Sequence, residues 1–359
     1  MAESGCLKDG CFQNLQVEGN TQLNGGSFEG NLQVEGTLQV KGNTQLSTLF
    51  TLNGIPLSGS TEGSFKGEAE PGALCQDTTN MSLYMNEGTK ASPYWTPLSS
   101  VYGNGGGFNG GARMVSLQHS DVVAVSGSDS SVTLSSGVRV FGQGHNENGT
   151  GLVDVSASGT IGPLKQLITA SSPPALAVAL GMGTSTPIHQ PDTNGNIVID
   201  IEFTNNTAIS DRSLFCGFIG TAADAKDQPA TSSSTTITFV DDDLAGAFLD
   251  TDLTSADSIY FISNKSNAAS SVETTGSING QAVDILETIP AAATFTRWRI
   301  QCNKTGGVTF FINKVEKAHN SAALDADEEL HPVFMVASKS GEIKVDVRRF
   351  SIWSGNSTA

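Results

Sequence analysis

The sequence predicts an all-β protein in which a short run of repeated strands precedes a large two-sheet sandwich. Three observations carry that prediction. Of 359 residues, 40 are Gly, 12 are Pro and only 15% are charged, a turn-rich balance that suits short strands better than helices. Between Leu15 and Leu49 a six-residue unit recurs in register. From Ala112 to Ala359, short runs of alternating apolar and polar residues follow one another, bounded by Gly, Asn, Asp or Pro. The length corresponds to two or three folding units at ~100–200 residues each.

Residues 1–13 stand ahead of the repeat. The opening MAESGCLKDG has neither a basic stretch nor an apolar one, so it does not read as a signal peptide. The hexads follow: LQVEGN at Leu15 returns as LQVEGT at Leu32 and LQVKGN at Leu38, and NTQL occurs at Asn20 and Asn43. One unit, Ser27 to Asn31, is a residue short. Within each LxVxG unit the apolar positions alternate with polar ones, giving a strand with one apolar face. Gly and Asn then supply the positive φ for a turn. So short a strand cannot support itself in water and must stack on neighbours. Those neighbours are either successive coils of one chain or the same segment of other chains. Three copies around a common axis would bury Leu15, Val17, Leu32, Val34, Leu38 and Val40 and leave Gln, Glu and Lys outside, a triple-stranded β shaft over residues 14–57. A flexible linker would not keep Leu and Val in register.

Residues 58–111 change character. DTTNMSLYMNEGTKA reads as a hairpin turning at Asn86-Glu87-Gly88, ASPYWTPLSS as its aromatic exit, and GNGGGFNGG as a hinge. Residues 112–359 form the head. Its runs include NIVIDIEF, SLFCGFIG, SIYFIS, FTRWRIQC, VTFFINK, HPVFMVAS and IKVDVRRFSIW, and ten or more such strands make a two-sheet sandwich the natural solution. The Ala/Leu-rich piece PPALAVALG is the one helix candidate. In the closing strands, alternation places Trp298, Ile300, Val345, Val347, Phe350 and Ile352 inward, with Trp353 also in the core. Arg297, Arg299 and Arg348 then face solvent, and Arg349 breaks the alternation, which predicts a bulge between Val347 and Phe350.

Chemistry is sparse. The formal charge of −17 leaves nothing to neutralise a run of phosphates or to hold an anionic lipid surface, so neither nucleic acid nor membrane insertion is expected. No apolar run reaches the length of a membrane-spanning helix. Cys6, Cys11, Cys75, Cys216 and Cys302 are odd in number and form no CxxC pair, which reads as isolated buried thiols in a soluble product of a reducing compartment. GNGGGFNGG holds a formal GxGxxG but lacks the strand before and helix after it that a dinucleotide site needs. None of His119, His145, His189, His319 and His331 has metal-ligand spacing, and His145 in FGQGHNENGTG reads as a surface-loop residue. Asp241, Asp242 and Asp243, followed by Asp250 and Asp252, form the densest carboxylate cluster and a weak Ca2+ candidate. Asp192, Asn194, Asn196 and Asp200 form a weaker one, with an Asn-Gly turn into NIVIDIEF as the plainer reading. A glycosidase needs two carboxylates across a cleft, and VIDIEF offers only Asp200 and Glu202 two residues apart on one face. No catalytic residue and no cofactor is expected.

The quoted hexads resemble the LxVxGN-type repeats in the shafts of bacteriophage tail fibres and head fibres, which are usually homotrimers. Hexads also occur in acyltransferase β-helices, but those have many more coils and a fixed Ile or Val position. The Tyr strand, N-x-G-T turn and Trp-Thr-Pro exit look like small β modules of phage virion proteins. WRIQCNKTGGVTFFINKVEKA and LHPVFMVASKSGEIKVDVRRFSIW resemble the last strands of concanavalin-like jelly rolls. The resemblance implies a homotrimeric virion structural protein, assembled in the host cytoplasm. In it, residues 1–13 anchor to capsid or tail proteins, 14–57 form the shaft, 58–111 a small module and hinge, and 112–359 a jelly-roll head. A head that binds a host-surface glycan is the alternative it leaves open.

Overall fold

A computed structural model describes residues 49–79, 82–99, 189–205, 211–220, 229–234, 236–239, 243–254, 258–265, 271–272, 283–288, 294–339 and 343–355, with the backbones of the strands between 113 and 182. Leu15, Val17, Leu32, Val34, Leu38 and Val40, the hinge at 103–111, His119 and His145 lie outside the described residues. The chain divides into two compact units, Met1–Thr48 and Leu49–Ala359, and the described residues belong to the second.

The described strands form four sheets. A small one is built from β1 (Phe50–Leu52), β2 (Leu74–Asp77), β3 (Ser82–Asn86) and β4 (Trp95–Ser99), in that order. A nine-stranded sheet runs, in spatial order, through Val315–Asn320 (β22), Val308–Ile312 (β21), Thr296–Cys302 (β20), Ile197–Asn205 (β12), Lys344–Ser354 (β24), Lys165–Ile168 (β10), Gly151–Asp154 (β9) and Val123–Ala124 (β6). Its ninth strand, Arg113–Ser116 (β5), pairs with the far end of β24. An eight-stranded sheet runs through Val283–Thr288 (β19), Ser258–Asn264 (β17), Leu244–Asp250 (β16), Arg212–Ile219 (β13), His331–Ser338 (β23), Ala177–Met182 (β11), Val138–Gly142 (β8) and Ser131–Thr133 (β7). The fourth joins Ala230–Ser233 (β14), Thr236–Phe239 (β15) and Ser271–Val272 (β18).

The two large sheets face each other across the main core, where Ile199, Ile201, Phe203, Trp298, Ile300, Phe310, Phe350 and Ile352 meet Leu214, Cys216, Phe218, Ala247, Phe334 and Val336. This is the expected jelly-roll sandwich. Each large sheet is also covered on its other face. Phe215, Phe248, Tyr260 and Met335 pack on Ala230, Ile237 and Phe239 of the three-stranded sheet. Val198 and Trp353 pack on Ile55, Cys75, Tyr84 and Trp95 of the small sheet. Burial on both faces explains why SLFCGFI and LAGAFLD read as continuous apolar runs rather than as alternation. Gly217 and Gly246 sit opposite each other in that pairing, and a Cβ on Gly217 would fall 2.6 Å from the Gly246 Cα. Only two glycines fit there.

Several expectations meet the structure directly. The register of β12 against β24 shifts between Glu202 and Phe203, passing over Arg348, which is the bulge that Arg349 announced. Val345 and Val347 line the main core, and Arg348 is exposed. PPALAVALG is not a helix: Ala177–Met182 is a strand held between β8 and β23, where pairing on both sides overrides the helix propensity of Ala and Leu. The helix described is one turn, α1 (Pro191–Asn194), opened by its proline and ended at Gly195 with φ +77°. The hairpin at Asn86 is as expected: its side-chain oxygen accepts from the Gly88 and Tyr94 amides, each at 2.8 Å. Phe50–Leu52, assigned by sequence to the shaft, pairs in parallel with β2 and packs on the small sheet's own core.

Candidate functional site

The densest chemistry among the described residues lies where the small sheet meets the nine-stranded sheet. It begins with register. Asp200 on β12 sits directly opposite Arg299 on β20, and Glu202 opposite Arg297. Because alternation sends Trp298 and Ile300 into the main core, Arg297, Arg299 and Gln301 emerge on the far face. That face is not solvent. Arg299 is 1% exposed and Asp200 0%, so the expectation that Arg297 and Arg299 point into water is corrected: the small sheet covers them. Trp353 is likewise buried, but against the small sheet rather than in the main core.

Asp200 receives both arginines. Arg299 donates to its Oδ2 from Nε at 2.9 Å and Nη2 at 2.5 Å. Arg297 donates from Nε to Oδ1 at 2.8 Å and from Nη2 to Oδ2 at 2.7 Å. The Arg299 guanidinium then reaches across the seam, donating to the Trp95 carbonyl at 2.7 Å and to the Ser58 and Thr96 hydroxyls at 3.3 Å. It lies 3.7 Å from the centre of the Tyr94 ring and 5.0 Å from that of Trp353. Arg297 continues to Glu87 at 3.4 Å, and Lys314 reaches the same Glu87 oxygen at 3.0 Å. Gln301 meets Ser58 with two bonds, accepting from its amide at 3.0 Å and donating to its carbonyl at 2.7 Å.

Further contacts extend the seam to either side. Glu316 on β22 accepts from the Ser60 and Thr61 amides and hydroxyls. Asn303 donates to Glu62 at 2.7 Å, and Asn196 donates to the Ile55 carbonyl at 2.8 Å. Burial alone would raise the Asp200 carboxyl, but Arg299 and Arg297 outweigh it and hold it down at about 2. In Glu87 burial is again the largest influence, and Lys314 with Arg297 overcomes it to lower the carboxyl. Asp200 is therefore a fixed anion near neutrality. Burial pushes the Cys75 thiol up to about 12 and those of Cys216 and Cys302 higher still, in keeping with isolated, protonated thiols.

The residues singled out from sequence fall elsewhere. Asp243 is buried just ahead of β16, its carbonyl accepting from the Gly220 amide at 2.7 Å, while Asp241 and Asp242 lie outside the described residues. Asp250 and Asp252 both contact the Lys339 ammonium. The second Ca2+ candidate comes apart: Asn194 accepts from the Gln190 amide, Asn196 bridges Ile55 and Lys304, and Asp200 belongs to the arginines. Among the described residues no three of His, Cys, Asp and Glu are grouped to hold a metal. His189 Nε2 lies 2.8 Å from the Gly195 carbonyl, and His319 bonds Thr309 at 2.9 Å. The seam itself had a sequence signal: DIE on one strand and RWR on another are complementary charge alternations, the mark of two strands that pair.

No protein-family model and no curated protein matches the chain. Solved structures with a distant likeness include a Shewanella oneidensis protein of unknown function, at 11% identity and TM-score 0.39, covering 73% of this chain and 91% of that one. The potassium-bound carbohydrate recognition domain of Emp46p matches at 10% and 0.37, over 60% and 88%. A carbohydrate esterase of the Shiga toxin-encoding bacteriophage phi24B matches at 12% and 0.35, over 60% and 90%. The fold assignment rests on the strand registers above and takes nothing from likenesses so distant.

Proposed function

We propose that this chain is a non-enzymatic, homotrimeric virion structural protein of a bacteriophage, a capsid decoration, head fibre or tail fibre protein that presents a jelly-roll head. The observation that supports the reading most is the seam. The buried charges of Asp200, Arg297 and Arg299 are spent on fastening residues 50–99, which follow the hexads in sequence, to the sandwich. That is a mechanical use of charge. The hexads supply the other half, since strands so short need neighbours to bury Leu and Val.

The test is oligomeric state with a matched pair of substitutions. The purified chain is expected near three times its 37.3 kDa mass in light scattering. Val34→Asp would set a carboxylate from each copy in the apolar axis, at several kcal/mol per buried charge, and should abolish the trimer, whereas Gln33→Asp should leave it intact. A monomer at micromolar concentration, or equal tolerance of both changes, overturns the reading. Immunogold labelling of virions then assigns capsid or tail. If virions that carry the head adsorb to host cells and free host polysaccharide competes, the glycan-binding alternative takes its place.

A further inference from the structure

The apolar layer between the eight-stranded and three-stranded sheets ends in charge. Phe248 and Ala337 pack within it. Two residues beyond them come Asp250, the last residue of β16, and Lys339, which follows β23. Strand β13 lies between these two, with Ser213 opposite both Asp250 and Ala337. Lys339 Nζ meets Asp250 Oδ1 and reaches Asp252 Oδ2 at 2.5 Å. Backbone bonds fix the surrounding chain. The Lys339 amide donates to the Asp211 carbonyl at 2.8 Å, the Thr251 amide to that of Arg212 at 3.0 Å, and the Ser234 amide to that of Asp252 at 3.0 Å. Asp250 is fully buried, yet its carboxyl is satisfied on one side only. Oδ1 also accepts from the Asp252 amide at 2.9 Å. Oδ2 is buried without a hydrogen-bond partner among the described residues; the Ser232 hydroxyl approaches the carboxyl, but the two make no hydrogen bond. A buried ion pair is ordinarily kept only where the remaining lone pairs are satisfied, and this one leaves an oxygen over.

We propose that Lys339 and Asp250 join in an isopeptide bond, an amide from Nζ to Cγ that forms in the folded chain and expels Oδ2 as water. The parts of an acyl transfer are all in contact. Lys339 is the nucleophile, the Asp252 carboxylate takes its proton, and the Asp252 amide faces Oδ1, where negative charge develops. Burial lifts the Asp250 carboxyl above its ordinary range, which favours the acid form whose hydroxyl is the leaving group. Holding amine and carboxyl together turns a bimolecular condensation into an intramolecular one. In the step itself, Asp252 takes a proton from the Lys339 ammonium and the freed Nζ attacks Cγ. Asp252 then passes that proton to Oδ2, the Cγ–Oδ2 bond breaks and water departs. The surplus proton on the new amide returns to Asp252, whose exposed carboxyl releases it to solvent. Nothing is oxidised or reduced, and no outside reactant enters. The product keeps one carboxyl oxygen, Oδ1, held by the Asp252 amide, so the unsatisfied atom is gone. The bond ties the ends of β16 and β23 across a separation of 89 residues, and it does not depend on the trimeric reading.

Mass spectrometry of the full chain tests this. After days at neutral pH the folded chain should be lighter by one water, and its proteolytic digest should contain a branched peptide that joins Asp250 to Lys339. A Lys339→Arg chain should keep its full mass, because the guanidinium is not a nucleophile there. Asp252→Asn should form the bond about a hundredfold more slowly, the usual loss when a positioned base is removed, read as the fraction of chain still at full mass. The unsubstituted chain carries the test even if either variant misfolds. An ordinary ion pair would leave that chain at full mass, with Asp250 and Lys339 recovered in separate unmodified peptides, and this result overturns the proposal. Loss of water that persists in Lys339→Arg places the dehydration elsewhere and overturns it equally. Asp252→Asn linking as fast as the unsubstituted chain overturns the role given to Asp252.

Discussion

Strand β20 serves two cores, and the two are built on different principles. Trp298 and Ile300 enter the space between the large sheets, where Phe203 and Phe310 close on the Trp298 ring edge-to-face at 5.0 and 5.6 Å. Arg297, Arg299 and Gln301 enter the seam, where each is held by directed hydrogen bonds, beside the apolar contacts of Val198 and Trp353 with the small sheet. The main core gains from burial, which is roughly proportional to area and has no preferred direction. The seam gains little net energy from its charges, because desolvation offsets most of the attraction. What it supplies is position: Arg299 can satisfy Asp200, the Trp95 carbonyl and Ser58 in one arrangement of the two sheets. An apolar seam could slide; this one cannot without stranding charge.

Substitutions separate the two principles. Trp298→Ala should cost about 3–5 kcal/mol through lost burial and a cavity, read as a lowered Tm of the whole sandwich. Arg299→Ala should cost about 3 kcal/mol, because Asp200 is left short of a partner in a buried site. Unlike Trp298→Ala, however, it should be largely rescued by Asp200→Leu in the same chain. A double-mutant cycle in which the pair is additive would mean that the seam behaves like the apolar core.

Acid should strike the seam next. Asp200 is held at about 2 against an ordinary value of 3.8, so its contribution is complete above about pH 4 and is lost as pH falls through 2. The difference amounts to about 2 kcal/mol, and it should vanish from the pH dependence of urea midpoints in Asp200→Leu/Arg299→Leu. The smallest effect belongs to an arginine of the same sheet outside the seam. Arg348 meets Glu202 at 2.8 Å with 45% of its side chain exposed, so Arg348→Ala should shift stability by under ~1 kcal/mol in thermal melts.

Much of this was readable in the residues. Alternation placed Trp298, Ile300, Phe350 and Ile352 correctly, and the doubled arginine at 348–349 gave the bulge. The error lay in taking the other face for solvent. Period-two alternation tells which residues share a face, but not what covers it, and Arg299 is separated from Trp95 by 204 residues. Charge misled for the same reason: an arginine in a strand is ordinarily exposed, and only the opposed Asp200 shows otherwise. PPALAVALG failed because local propensity yields to two paired neighbours.

The seam also sets a clock. Ser58 is joined to Gln301, 243 residues later, and β24, at the middle of its sheet, supplies Trp353 to the same junction. At about 5–20 residues per second, the ribosome delivers that partner roughly 10–50 s after Ser58 itself. Through that interval Tyr84, Trp95 and Ile55 have no sheet to close upon. Contacts so distant along the chain also make folding slow once synthesis is over. The small sheet is thus among the first parts of the second unit to be made and among the last to be finished.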